Sequence, residues 1–409
     1  MAAKTLLNKI LTPKQQFVLQ EVLSNQRWTL LINHGGVRSG KTVIDNVIFL
    51  MQLKEVSQLA KEAGVDHPLY ILAGVSSKTI ANNVLTPLRQ MFGIQFHFDK
   101  WGNFELFGVT VVQAYTGSIS GLGGIRGLSA WGAYINEASL ANEEVFDEIR
   151  DRCSEGMGRV ICDTNPDVPT HWLKKDYIDN PSGSDAILSF HYTLDDNSFL
   201  NKRYVESLKA TIPSGMLYDR KILGLWVAGQ GAVYQDFNEK TMVKKGLSVP
   251  RDAVFYAGVD WGYEHLGSIV VMADYGGSTY LLEEDTEQYK EIDYWVTRAK
   301  QVKAKYGNIR FYADSARPEH VARFNREGIR CINANKAVLS GIEEIASLMK
   351  QGRFYVDSNA SGFLNEVYEY IWDEKTGMPV KQHDDCMDAV RYAVYSQHHK
   401  SVNVRTFKY

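Results

Sequence analysis

The sequence predicts two α/β domains in series, the first built on a doubly wound, mainly parallel sheet. Three observations carry this. Gly35-Gly36-Val37-Arg38-Ser39-Gly40-Lys41-Thr42 fits the phosphate-binding pattern G-x-x-x-x-G-K-[ST] at every fixed position, between an apolar run and an apolar-periodic segment. Strand and helix signals alternate from there to about residue 166. Beyond residue 250, three strand signals in a row precede further helices and strands, with aspartates at element ends.

A chain of 409 residues is long enough for two substantial cores. Its hydrophobic content of 44% and charged content of 23% are those of an ordinary globular protein. No apolar run approaches the roughly 18 residues of a membrane span. The start, Met-Ala-Ala-Lys, lacks a signal peptide's apolar region, so a soluble cytoplasmic protein is expected. Cys153, Cys162, Cys331 and Cys386 form no C-x-x-C pair, which argues against zinc and a disulfide framework. A net charge of −3 excludes a bulk polyanion binder and leaves local patches to grip any nucleic acid. One candidate patch is the tail after Ser396, with Lys400, Arg405 and Lys408; a solvated terminus is the alternative.

The first domain opens with a helix at Pro13, capped by Thr12. Gln15 or Gln16 stands where a glutamine could read an adenine edge, and Gln16 is assigned to that site. Trp28 to Ile32 reads as a buried strand leading into the glycine loop. Val43, Ile44, Val47, Ile48 and Met51 then have helical spacing. Strand, loop and helix together favour a nucleotide site over a Gly/Ser turn. The glycines let backbone N–H groups turn toward phosphate oxygens, and the helix N-terminus adds its positive dipole end. Lys41 reaches the β- and γ-phosphates in such a loop, and Thr42 ligates Mg²⁺. Next come a strand from Leu69 to Val75, one helix from Ser77 to Phe92, and strands at Phe104 to Phe107 and Val109 to Tyr115. A glycine-rich loop carrying Arg126 precedes a buried strand that ends in Asn136-Glu137. After a helix from Glu143 to Cys153, the strand Val160 to Cys162 ends in Asp163-Thr164-Asn165-Pro166.

Parallel sheets bind ligands at the strands' C-terminal ends, where Glu137 falls. A carboxylate there can activate a water against the γ-phosphate, with Asp163 as the next candidate base. Arg38 and Arg126 are candidates to neutralise charge on the transferred phosphoryl. Thr164 and Asn165 stand beside Glu137, either as γ-phosphate sensors or as a simple turn. Residues from about Asp195 to Leu225 read as helical. The domain boundary is expected in a linker at 231–250, giving domains 1–230 and 251–409.

The second domain reads as strands at Phe255 to Val259, Ser268 to Ala273 and Thr279 to Leu282. A helix from Glu291 to Lys305 and a strand from Ile309 to Asp314 follow. Another helix, a strand at Ile329 to Ile332, a helix from Gly341 to Met349 and a last helix from about His383 to Ser396 complete it. That is the element order of an RNase H-like fold. Asp260 and Asp314 end strands expected to lie side by side, and the last helix carries Asp384, Asp385 and Asp388. Like charges at i, i+3 and i, i+4 destabilise a helix by roughly 0.2–0.5 kcal/mol per pair. Two Mg²⁺ or Mn²⁺ ions roughly 4 Å apart would remove that repulsion and clamp a phosphodiester. Alternatively, Asp384 and Asp385 serve the helix dipole.

These residues together resemble the large terminase subunit of tailed bacteriophages. The likeness rests on the glycine loop, Ile125-Arg126-Gly127-Leu128, Ile135-Asn136-Glu137-Ala138-Ser139 and Thr164-Asn165-Pro166. In the second domain it rests on Val259-Asp260-Trp261-Gly262-Tyr263, Tyr312-Ala313-Asp314-Ser315 and His383-Asp384-Asp385-Cys386-Met387-Asp388-Ala389-Val390-Arg391-Tyr392. The resemblance implies an ATPase that drives double-stranded DNA into a procapsid, fused to an RNase H-like nuclease that cuts concatemers. It implies ATP-Mg²⁺ on Lys41 and Thr42, Arg38 in hydrolysis, Glu137 as catalytic carboxylate, and Thr164-Asn165 in coupling. It assigns the nuclease metals to Asp260, Asp314 and Asp388, with Asp385 auxiliary; Glu283 or Glu284 could add an acid. Asn136 departs from the family's usual Asp. Implied partners are the portal, the procapsid, a small terminase subunit and further copies in a ring, expected to be a pentamer. The implied setting is the host cytoplasm, with transient docking on the portal and absence from the mature virion. The alternative is a helicase-nuclease of repair or defence.

Overall fold

Leu30–Gly35 is buried at every residue, and its side chains split between two cores. Leu31 joins Ile44, Phe49 and Tyr70 on one side of the sheet; Leu30 and Ile32 join Ile71, Ile135 and Phe146 on the other. A strand covered on both faces must be apolar at successive positions. That strand is β1, in a computed structural model that describes residues 10–180 and 182–399. The basic tail from Lys400 onward lies outside the described residues.

The chain forms two compact units, one running to Val205 with Asp219–Val227, the other comprising Glu206–Tyr218 and Ala228 onward. In the first, β1 is joined by β2 (Leu69–Gly74), β3 (Phe104–Leu106), β4 (Val109–Tyr115), β5 (Gly132–Ile135), β6 (Arg159–Thr164) and β7 (Ile187–Tyr192). Their order is β3-β4-β2-β5-β6-β1-β7, parallel throughout except for β3 against β4. This is the expected doubly wound sheet. β6 lies between β1 and β5, so the glycine loop, the Asp163 segment and Glu137 emerge at the same edge.

Two expectations fail locally, each for a physical reason, and one strand had not been expected. The helix from Ser77 to Phe92 is broken by a wide π-turn at Ala81–Leu85. Pro87 has no N–H to give Asn83, whose carbonyl accepts from Asn46 instead at 3.1 Å. The helical stretch from Asp195 to Leu225 is a helix at Lys202–Thr211 and two short turns, interrupted at Pro213 and Gly215. β7 was not expected, because its edge position leaves Ser189 and His191 in a half-buried run.

The second unit holds β8 (Val243–Lys244), β9 (Val254–Asp260), β10 (Gly267–Tyr275), β11 (Ser278–Glu287), β12 (Arg310–Ala313), β13 (Cys331–Asn333) and β14 (Phe354–Asp357), in the order β13-β12-β9-β10-β11-β14-β8. β9, β10 and β11 are antiparallel; β12 runs parallel to β9, as the RNase H-like order requires. The expected linker at 231–250 is not a free connection. Val233 donates to Tyr370 at 2.8 Å, and β8 pairs with β14.

The last helix, Asp385–His398, buries Met387, Val390 and Val394 on this sheet. It comes so close to β9 that a Cβ on Gly258 would lie 1.9 Å from the carbonyl oxygen of Ala389. Only glycine permits that approach. Asp260, two residues on along β9, lines the same pocket as Asp388.

Candidate active sites

The glycine loop is tied down before any ligand is considered. The N–H groups of Gly36 and Val37 donate to Tyr192 and Lys221, both at 2.8 Å. Gly35 and Gly40 have φ of 144° and 96°, where a side chain would be strained, and Arg38 takes a left-handed φ of 57°. The arginine side chain is thereby left exposed at the loop's tip. Arg126 is likewise exposed, on its own loop.

Lys41 is buried, its ammonium donating to Gly35 O at 3.0 Å, Gly36 O at 2.8 Å and Asn165 Oδ1 at 3.0 Å. Burial holds its pKa below the ordinary lysine value, against the pull of Asp163, Glu137 and Asp45. Glu137 stands at the end of β5 in a left-handed conformation, φ 59°. Its carboxylate accepts from Asn165 Nδ2 at 3.3 Å. Burial, and then the neighbouring charge of Asp163, push Glu137 up to about 7, Lys41 opposing. A carboxylate so tuned is basic enough to take a proton from water near neutral pH. Thr164 accepts from Ser139 N at 2.9 Å, fastening the end of β6 to the segment after Glu137.

The two glutamines of the first helix differ in placement. Gln15 donates to Gly40 O at 2.7 Å, while Gln16 donates back to Leu11 O at 2.8 Å. Gln15 is the one that touches the loop. Asp163 takes a larger part than its sequence context suggested. It accepts from the Thr42 hydroxyl, from Asn136 Nδ2 at 2.8 Å and from Glu137 N at 3.1 Å.

In the second unit, Asp260, Asp314, Asp384, Asp385 and Asp388 line one open pocket of 1330 Å³. Asp314 is held beside β9 by its own N–H, which donates to Val259 O at 3.0 Å, and by Trp261 Nε1, which donates to its carbonyl at 2.9 Å. Burial comes first, then the charges of Asp388, Asp314, Asp385 and Asp384, in raising Asp260 to about 8. Burial, then the charges of Asp388 and Asp385, raise Asp384 to about 6. Negative charge clustered in this way, presented by hard oxygen donors, suits a hard divalent cation.

The acids carry other partners in this arrangement. Lys336 pairs with Asp314 and Arg391 with Asp388, both at 2.6 Å, and His265 meets Asp385 at 3.0 Å. Among the described residues no three acids, histidines or cysteines are drawn together as a ready metal cage. The ion pairs engage Oδ1 of Asp314 and Oδ1 of Asp388. Nor do Asp384 and Asp385 cap their helix. Glu366 does, accepting from Cys386 N at 2.9 Å and Met387 N at 3.0 Å. Of the further acids considered, Glu283 is bound by Arg298, Lys305 and Tyr306. Glu284 caps another helix through Gly362 N and Phe363 N, both at 2.9 Å.

Residues 257–397 match the pattern that defines the terminase RNaseH-like domain, and residues 123–214 match the phage terminase large subunit. Together these stretches take in more than half of the chain. The chain belongs to the phage terminase large subunits. The large terminase subunit of Salmonella phage P22 is 26% identical over 251 residues, 55% of this chain and 46% of that protein. The chain thus spans about half the length of the curated relatives it matches. The large terminase of a thermophilic bacteriophage, solved in complex with ADP, has the same fold, with a TM-score of 0.78 at 24% identity, covering 93% of this chain and 98% of that one. The complex of that thermophilic phage terminase with ATP-gamma-S gives 0.75 at 25% identity, with the same coverage.

For a terminase large subunit the loop, Glu137 and the RNase H-like acids are the legible parts. Asp163, Gln15, Lys336 and Arg391 are the parts that sequence reading underweighted. Two of these had a signal: Gln15 is one of the two glutamines placed for an adenine edge, and Asp163 is an acid at a strand end, one strand away from a position where the usual acid is missing.

Proposed function

We propose that this chain is an ATP-driven DNA-packaging motor that also cuts the DNA it packages. Two separate constellations within one terminase-family chain support this most directly: Lys41, Thr42, Glu137 and Asn165 in the first unit, and the aspartate pocket in the second. The first unit is the ATPase. Lys41 exchanges its contacts with Gly35 and Gly36 for phosphate oxygens, Arg38 at the loop's tip neutralises charge on the transferred phosphoryl, and Glu137 takes the proton from the attacking water. Asn165 touches both Lys41 and Glu137, so it is placed, with Thr164, to relay the state of the γ-phosphate.

The second unit is the nuclease. Asp260, Asp314 and Asp388, with Asp385 beside them, would hold divalent cations of the Mg²⁺ or Mn²⁺ class, two in number. Such ions supply Lewis-acid neutralisation at a scissile phosphodiester. Buried Arg391 positions Asp388, and Lys336 is released from Asp314 to face a DNA phosphate. None of the helices among the described residues is long and apolar enough to cross a membrane. The reading places the chain on double-stranded DNA, with a small terminase subunit, as a ring of copies (a pentamer) docked on the portal of a procapsid in the host cytoplasm.

The test is packaging itself. Purified chain, portal-bearing procapsids, linear duplex and ATP should give nuclease-protected DNA, and a non-hydrolysable analogue should not. Protection without hydrolysis, or unwinding of duplex into single strands, would overturn the reading in favour of passive binding or a helicase.

A further inference from the structure

We infer that Asp163, on β6, is the carboxylate that holds the divalent cation of the bound nucleotide together with Thr42, and that Asn136 serves as its anchor. The inference rests on the ATPase reading above.

A P-loop site needs an acid next to its Ser/Thr, because Mg²⁺ is a hard cation that favours anionic oxygen. Position 136, at the end of β5, carries a neutral amide. That amide is also turned the wrong way. Asn136 is fully buried, and its only ligating atom, Oδ1, accepts from Asn83 Nδ2 at 3.0 Å. Its Nδ2 points at Asp163 Oδ1, 2.8 Å away. A group that gives its N–H₂ to Asp163 and has its Oδ1 engaged by Asn83 offers no oxygen to a cation at Thr42.

Asp163 has what Asn136 lacks. Its Oδ2 is in hydrogen-bond contact with the Thr42 hydroxyl. Its Oδ1 is fixed by two donors, Asn136 Nδ2 and Glu137 N at 3.1 Å. One oxygen is thus immobilised and the other delivered to Thr42. The Thr42 O–H donates to Asp163, which leaves the hydroxyl's lone pairs for a cation. Parallel register makes the exchange possible: Ile32 is level with Cys162, and Ile135 is level with Cys162 on the other side. Asp163 and Asn136 are therefore next to each other at the sheet's edge, and the acid has moved across by one strand.

The reading makes Asp163 and Asn136 an interchangeable pair, and that is testable by binding alone. A fluorescent ATP analogue is titrated into the full chain over a range of Mg²⁺ concentrations and in EDTA. In the parent, Mg²⁺ should tighten binding. Asp163→Asn should shift the Mg²⁺ requirement upward at least about tenfold, the scale of losing even an outer-shell partner, with affinity in EDTA unchanged. The double variant Asp163→Asn/Asn136→Asp should recover much of the parent's Mg²⁺ response. An Asp163→Asn chain with the parent's Mg²⁺ dependence would overturn the assignment. So would equal weakening with and without Mg²⁺, which marks a packing role. A parent that binds no nucleotide at all would instead sink the ATPase reading.

Discussion

Lys41 and Glu137 share one partner: Asn165 accepts from the Lys41 ammonium at 3.0 Å and donates to the Glu137 carboxylate at 3.3 Å. A single amide thus links the lysine of the glycine loop to the proposed base. Asn165→Ala should leave nucleotide affinity nearly intact but slow ATP turnover about 10²-fold, the scale of a small misplacement of reacting groups. Steady-state hydrolysis and equilibrium binding measured side by side check this. A loss confined to affinity would mean that Asn165 only helps to bind.

Glu137→Gln keeps the shape and most hydrogen bonds but removes the proposed base. Turnover should fall by about 10²–10⁴ while ATP still binds. Single-turnover hydrolysis reads this directly. Unchanged turnover would rule out Glu137 as the base.

The glycine loop and the strand-ending acids were legible because each is announced locally, by glycine spacing or by an acid closing an apolar run. What escaped depends on contacts between distant segments. Gly258 looks like any strand glycine until Ala389 arrives on top of it. Glu366 looks like a solvated helix residue until it caps the last helix. β8 is two residues long and exists only because β14 pairs with it. Asp163 and Asn136 lie 27 positions apart, and only the strand order makes them neighbours.

The aspartate pocket should make the metal-free chain sensitive to pH. Asp260 is raised to about 8, so the folded chain holds its proton more tightly than the unfolded chain does. The stability that Asp260 contributes is therefore fully present below the unfolded value of 3.8, falls as pH rises above it, and is lost by about pH 8. Asp260→Asn should flatten that slope in melts of the full chain in EDTA, and Mn²⁺ should raise the parent's Tm most near pH 8. Equal slopes for parent and variant would show that the cluster's repulsion is already relieved. Asp388→Asn is a poorer probe of repulsion, because it removes the negative charge that pairs with buried Arg391.

The central claim is that one chain carries two independent chemistries, and a double dissociation tests it most directly. ATP hydrolysis and Mn²⁺-dependent cutting of supercoiled plasmid are measured on the same preparations of parent, Lys41→Ala and Asp388→Asn. The account predicts that Lys41→Ala abolishes hydrolysis and still cuts, whereas Asp388→Asn stops cutting and still hydrolyses. Either folded variant losing both activities, or either keeping the one assigned to its site, would contradict it.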